Sequence, residues 1–288
     1  MRDDFSVFIL THGRADNVIT YNVLREQGYT GRIILLVDDE DSQINEYKRR
    51  YGDQVVVFPK QKAIEMTDAG DNFSKRNSVV FARNYNFIVA QELGVKYFLQ
   101  LDDDYKQFRY TFDNDRNYIT KQISIKNLDA VIEAMLNFYI QSPATTIAMS
   151  QGGDFIGGEG SKVATLHKEG KFSRKAMNSF FCSTDRSFQF PGRINEDVNA
   201  YTELGLKGGL FITASRIRLE QKQTQVSDGG LTDIYLDLGT YVKSFYSVMY
   251  CPSAVKIREM GVINRRLHHS VSWKNVAPMI LSEEHKHG

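Results

Sequence analysis

Three consecutive carboxylates, Asp102, Asp103 and Asp104, close the apolar run YFLQLDDDY at residues 97–105. Side chains alternate along an extended segment, so Asp102 and Asp104 are expected on one side and Asp103 on the other. Adjacent carboxylates repel at neutral pH unless water, basic groups or a cation offset them, and a hard divalent ion does this well. Mn2+ or Mg2+ is therefore the expected cofactor. A diphosphate is the expected partner, because these ions leave positions that substrate oxygens can take. A solvated polar turn is the bland alternative.

Other chemistry-bearing residues fall in four places. Arg76 and Arg83 are seven residues apart, on what is expected to be one helical face, where guanidinium groups could hold phosphate oxygens. GGDFIGGEG, residues 152–160, permits close backbone approach to a ligand but lacks the lysine and serine of a P-loop. Asn195 is placed to cap a helix opening with Glu196 and Asp197, where acids in the first turn add at most about 1 kcal/mol. Residues 263–278, INRRLHHSVSWKNVAP, gather Arg265, Arg266, His268, His269 and Lys274 around Trp273, the only tryptophan. A histidine here could join the acidic cluster as a metal ligand, and Lys274 could balance a departing diphosphate.

The elements that must position these groups are legible from hydrophobic patterning. FSVFILT, residues 5–11, reads as a buried parallel strand, followed by a turn at His12, Gly13 and Arg14 and a helix from Asp16 to about Gln27. A strand over 32–41, a helix over 42–50 and a strand over 54–60 continue a β-α-β-α-β series. That alternation predicts an α/β fold with a doubly wound, mostly parallel sheet flanked by helices. Ligands of such sheets sit beyond the carboxyl ends of the strands, where His12 to Arg14, Asp38 to Asp41 and the triplet all fall. Residues 61–75 read as a loop, Arg76 to Leu93 as a helix, 125–140 as a helix and 145–151 as a strand. A strand or hairpin is expected over 172–185, a strand over 210–221, a helix within 227–252 ended by Pro252, and a strand over 253–260.

A chain of 288 residues with 42% apolar residues can bury one large core. A single domain spanning 1–288 is expected, with a nucleotide-sugar-binding half over 1–105 and an acceptor-binding, catalytic half over 106–288. The net charge of +1 leaves nucleic-acid contact to a local patch. Two cysteines, Cys182 and Cys251, form neither a disulfide framework nor a metal cluster by spacing. With no signal-peptide pattern and no membrane-length apolar run, a soluble, cytoplasmic protein without membrane contact is expected.

FILTHGRAD, LVDDED, FLQLDDDY, INEDVNAY and RRLHHSVSWK together resemble the GT-A glycosyltransferases, and among them the TET/JBP-associated glycosyltransferases. These include the kinetoplastid base J glucosyltransferase and phage enzymes that glycosylate hydroxymethylated pyrimidines in DNA. The resemblance implies transfer from a nucleotide sugar, a UDP-sugar first, to the hydroxyl of a hydroxymethylpyrimidine in DNA, with inversion. It assigns the metal to Asp102 and Asp104 and a donor-sugar or ribose contact to Asp103. Asp38 and Asp39 take the nucleoside, with Thr11, His12 and Arg14 covering the nucleotide. Asp197, ahead of Glu196, becomes the general base, and His269, ahead of His268, the further ligand before a phosphate-contacting Lys274. For phage-encoded DNA modification the compartment would be the host cytoplasm. DNA as acceptor predicts a basic rim from Lys106, Arg109, Arg174, Lys175, Arg193 and Arg216, and support of an extruded base by Tyr105, Phe155 or Phe190. A carbohydrate acceptor, a nucleotidylyltransferase and a non-enzymatic nucleotide-binding scaffold are the rival readings.

Overall fold

The computed structural model describes residues 1–221, 239, 241–261 and 265–278. Its first half is the expected alternation: β1 (Phe5–Leu10), α1 (Ile19–Glu26), β2 (Ile33–Asp38), α2 (Ile44–Tyr51) and β3 (Val55–Phe58). Then come α3 (Lys60–Glu65), α4 (Val79–Glu92), β4 (Tyr97–Asp102), β5 (Tyr105–Phe112), β6 (Tyr118–Ser124), α5 (Leu128–Gln141) and β7 (Thr146–Gln151). The remainder is α6 (Lys162–Lys168), β8 (Phe180–Ser183), α7 (Glu196–Leu206), β9 (Phe211–Gln221), α8 (Val242–Tyr250), β10 (Val255–Met260) and β11 (Arg266–Val271).

The main sheet has the order β3-β2-β1-β4-β8-β7-β9-β5-β6, and β10 and β11 form a separate antiparallel pair. The pairings make β5 and β8 the two strands of the main sheet that run against the rest, so the sheet is mixed but mostly of one direction. Alternate residues of the inner strands enter opposite cores. Val7 and Ile9 of β1 and Leu35 of β2 pack with Leu24 of α1 and Ile132 of α5. Phe8, Leu10 and Ile34 pack with Val80 of α4 and Val198 of α7. Two-sided burial is why these strands read as continuous apolar runs.

One irregularity matters to the site. Along β7 the partner on β9 jumps from Ala214 at Met149 to Arg218 at Ser150, and beyond the jump β9 also pairs with β5, ending with Gln221 opposite Tyr105. Two residues join β4 to β5, although three strands lie between them in the sheet order. At about 4.8 Å per strand, so short a link requires the sheet to curl back towards the end of β4.

Several local expectations give way. Helix α1 starts at Ile19 after Val18, without a side-chain cap from Asp16; Gly28, at φ +86° with Lys126 O 2.7 Å from where a Cβ would stand, closes it. Residues expected as loop at 61–75 begin with α3. Helix α4 is capped by Ser78, so Arg76 lies before it and shares no helical face with Arg83. Strands β5 and β6 and helix α6 stand where no element is expected, and the strand expected over 172–185 is the short β8, with an isolated bridge from Ser173 to Thr213. The expected helix within 227–252 is α8, ended before Pro252, while residues 222–238, 240 and 262–264 lie outside the described residues.

Candidate active site

The triplet closes β4 as a tight turn rather than an extended end, since Asp103 and Asp104 occupy the two residues between β4 and β5. Simple alternation therefore does not apply, and all three carboxylates line one cleft of about 600 Å³. The cleft lies at the carboxyl ends of β1, β2 and β4, with Thr11, His12, Arg14, Asp38, Lys60 and Arg76 also in its wall.

Each carboxylate has its own surroundings. Asp102 accepts from Arg83 Nη2 at 2.9 and 3.2 Å and from the Tyr105 hydroxyl at 3.1 Å. Asp103 is buried, accepting from Thr11 Oγ1 at 2.7 Å and from Arg14 Nη1 at 2.7 Å. These two bonds brace the turn after β1. Asp104 has one buried oxygen, Oδ1, without a hydrogen-bond partner. Burial first, then the charges of Asp102 and Asp103, push its carboxyl up to about 6. An orphaned acceptor in low dielectric is the kind of group a cation relieves.

The wall opposite is a second network. His12 Nδ1 lies 2.6 Å from Asp38 Oδ2, and Lys60 Nζ donates to Asp38 Oδ1 at 3.2 Å. The bond to Asp38 raises the His12 pKa. Burial works to raise Asp38, but His12 and Lys60 outweigh it and leave the carboxyl below its ordinary value. Arg76 pairs with Glu40 at 2.5 Å. Asp39 is exposed and accepts from the Lys60 backbone N–H at 2.9 Å, which ties β2 to α3 and keeps it out of the cleft wall.

Arg83 was expected on phosphate. It is instead 2% exposed and bridges Asp102 to Glu196 Oε1, 3.0 Å from its Nε. Asp197 comes next on α7, 9% exposed. Burial, followed by the Glu196 charge, raises Asp197 well above the ordinary carboxylate range. Glu196 is raised by burial too, but Arg83 binds it directly, so a proton taken up by this pair resides on Asp197. The result is a carboxylate poised to gain a proton close to neutrality.

A family model described as TET-Associated Glycosyltransferase matches residues 5–230. The chain belongs to this family. It is a glycosyltransferase. Among solved structures it is similar to glucosyl-3-phosphoglycerate synthase from Mycobacterium tuberculosis in complex with Mn2+, UDP and phosphoglyceric acid, at 10% identity over 93% of this chain and 86% of that one, TM-score 0.49. It is also similar to S. aureus TarS 1-349 in complex with UDP, at 13% identity over 85% and 64%, TM-score 0.44. A third is mannosyltransferase PcManGT from Pyrobaculum calidifontis in complex with GDP-Man and Mn2+, at 10% identity over 87% and 74%, TM-score 0.42. No curated protein matches the chain.

In this TET-associated glycosyltransferase the C-terminal histidines are not among the residues lining the cleft. His269 lies on β11 with Nδ1 3.3 Å from Asn195 Nδ2, and His268 Nδ1 lies 2.8 Å from the His269 carbonyl. Burial, with His268, Lys243 and Lys175 adding to it, pushes His269 down to about 4, so it is neutral among cations. Among the described residues no three His, Cys, Asp or Glu side chains stand together as a metal-ligand set. Lys274 is exposed in the turn after β11 and is not in the cleft wall. Its neighbour Trp273 stacks on Tyr201 of α7, centroids 5.5 Å apart, which accounts for the apolar residues among those charges. Asn195 stands at the α7 cap position, but its side chain turns away to Lys243 O and Ser247 Oγ of α8.

The expected basic rim is thinned as well. Arg193 is buried on Asp71, and Arg109 is buried against Glu220. Lys175 pairs with buried Asp154, while Lys106, Arg174 and Arg216 remain exposed. Tyr105, Phe155 and Phe190 are core residues at 0, 5 and 0% exposure, unable to receive an extruded base where they stand. Sequence reasoning missed Lys60, Tyr105 as a partner of Asp102, and Gln221 in the cleft wall. Their roles depend on contacts between distant segments, and no local pattern marks them.

No helix among the described residues is long and apolar enough to cross a membrane.

Proposed function

We propose that this glycosyltransferase moves a sugar from a nucleotide sugar, a UDP-sugar first, to the hydroxyl of a hydroxymethylated pyrimidine in DNA, with inversion. The observation that carries the donor side is the unpartnered Asp104 oxygen beside Asp102 on the floor of a cleft lined by Arg14, Lys60 and Arg76. Asp102 and Asp104 would hold Mn2+ or Mg2+, with water and diphosphate oxygens completing the coordination, which fits a pair of carboxylates with no third protein ligand. When bound, the ion offsets the negative charge of the leaving diphosphate. His268, near Lys243 and Arg266, and His269, near Lys243 and Lys175, form no part of the proposed site.

Apart from Gln221 the donor cleft is lined from residues 1–105, and the acceptor side is assigned to the remainder of 106–288. Leu36 and Phe58 give the cleft an apolar end suited to a nucleobase, with Asp38 as an acceptor beside it. Asp197 takes the proton of the acceptor hydroxyl as its oxygen bonds to the anomeric carbon. The bond from that carbon to the diphosphate breaks with its electron pair leaving on the diphosphate. Glu196, neutralised by Arg83, keeps the pair's negative charge while Asp197 accepts the proton.

Family membership supports DNA as acceptor, together with exposed Lys106, Arg174 and Arg216. Burial of Arg109 and Arg193 favours a carbohydrate acceptor as the second reading. The deciding experiment supplies radiolabelled UDP- and GDP-sugars with Mn2+ and duplexes carrying hydroxymethylcytosine or hydroxymethyluracil. Label should enter the DNA, chelator should stop it, and Asp197→Asn should lower turnover about 10²–10⁴-fold. Transfer to oligosaccharide alone would reject the DNA acceptor, and a product retaining the donor's anomeric configuration would reject single displacement.

A further inference from the structure

Among the polar side chains of the cleft wall that the proposed donor contacts leave unused is Gln221. Gln221, the last residue of β9, pairs across the sheet with Tyr105 and so stands immediately beside the carboxylate triplet, in the same cleft wall. Its oxygen accepts from Asn178 Nδ2 at 2.7 Å, and the other hydrogen of that amide goes to Gln151 Oε1 at 2.6 Å. With its oxygen so bound, the Gln221 carboxamide is fixed against flipping. Its own NH2 group has no hydrogen-bond partner among the described residues.

Asn178 is held just as firmly. It is one of three non-glycine residues at positive φ among the described residues, at +64°, a conformation that asparagine tolerates better than most residues. Its carbonyl accepts from the Tyr105 hydroxyl, whose single proton is shared with Asp102 Oδ2. A continuous chain of contacts thus runs from Asp102 through Tyr105 and Asn178 to Gln221. Unusual backbone conformations held by a surrounding network are concentrated where placement matters.

We infer that Gln221 reads the sugar of the donor, and that Asn178 is the positioning residue that aims it. The inference rests on the nucleotide-sugar reading above. In the sheet order Phe58 closes β3, Leu36 lies on β2, Asp102 closes β4 and Gln221 closes β9, and all four line the cleft. That order matches a nucleobase, a diphosphate and an uncharged polyhydroxyl group. A carboxamide presents a donor and an acceptor in one plane and suits vicinal hydroxyls, while its neutrality adds no repulsion beside three carboxylates.

The test is calorimetric, with UDP, UDP-glucose, GDP and GDP-mannose in Mn2+, on wild type, Gln221→Met and Asn178→Gly. Gln221→Met keeps the side chain's length, and Asn178→Gly keeps access to positive φ. In Gln221→Met the sugar nucleotide should weaken about tenfold more than its bare diphosphate, the scale of one or two lost hydrogen bonds. Asn178→Gly should move the same ratio in the same direction, and discrimination between UDP-glucose and UDP-galactose in kcat/KM should shrink in both. Equal weakening of sugar nucleotide and bare diphosphate, or a lowered melting temperature with the ratio intact, would make this a structural amide network and overturn the inference. Wild-type protein that bound none of the four probes would instead remove the nucleotide-sugar reading, and the inference with it.

Discussion

Asp104 carries a stability signature that distinguishes a ligand site from a solvated turn. Its native carboxyl titrates near 6, above the ordinary aspartate value, so between about pH 4 and 6 the native state binds more protons than the unfolded chain. Stability contributed by the protonated form is therefore lost as pH rises through that window and stays lost above it. Asp104→Asn has no charge to bury. Without metal, its melting temperature should match wild type near pH 4 and exceed it by about 2–4 °C above pH 6. Added Mn2+ should raise the midpoint of wild type alone. A variant less stable than wild type at pH 8 in chelator would show that Asp104 is a structural residue.

At the scale of elements, the α7 N-terminus is placed by tertiary contacts rather than by its own cap. Asn195 sits at φ +56° and ties α7 to α8 through Lys243 O and Ser247 Oγ, and to β11 through His269. The next two residues are Glu196 and Asp197. Asn195→Ala and Asn195→Gly both remove the ties, but alanine also meets the left-handed backbone penalty of about 1–2 kcal/mol. Both should lose turnover by tenfold or more, as expected when a reacting group is misplaced. Donor affinity should change much less, and Asn195→Ala should be the less stable of the two by denaturant titration. Normal turnover in Asn195→Gly would mean that α7 is held without these bonds.

For the molecule as a whole, Arg83 joins the carboxylate cleft to the start of α7. It reaches from α4 to Asp102 at the end of β4 and to Glu196 at the start of α7, with almost no solvent exposure. Removing one partner of a buried charge pair costs roughly 3–5 kcal/mol, because the remaining charges are left uncompensated. Arg83→Met should show a loss of that order in chemical denaturation. Adding Glu196→Gln should recover part of it, since one orphaned carboxylate is then neutral. Strictly additive losses in the double variant would argue against the bridge.

The amino-acid sequence by itself determined the parallel half of the sheet, because strands buried on both faces must be apolar throughout and the intervening helices must carry an apolar stripe. It also marked the triplet and the Glu196 and Asp197 pair, since acids at the ends of apolar elements are visible without any partner. What it could not determine was which acid does what. The two-residue turn after β4 set Asp103 against Arg14, left Asp104 with a free oxygen, and took Asp102 to Arg83. The same limit applies to Arg109 and Arg193, basic by type but buried by carboxylates far away in sequence. Gln221 entered the cleft only because β9 changes partner register and the sheet curls towards β4. Local pattern records burial and periodicity; the state of a charged or amide group depends on neighbours that only the tertiary fold supplies.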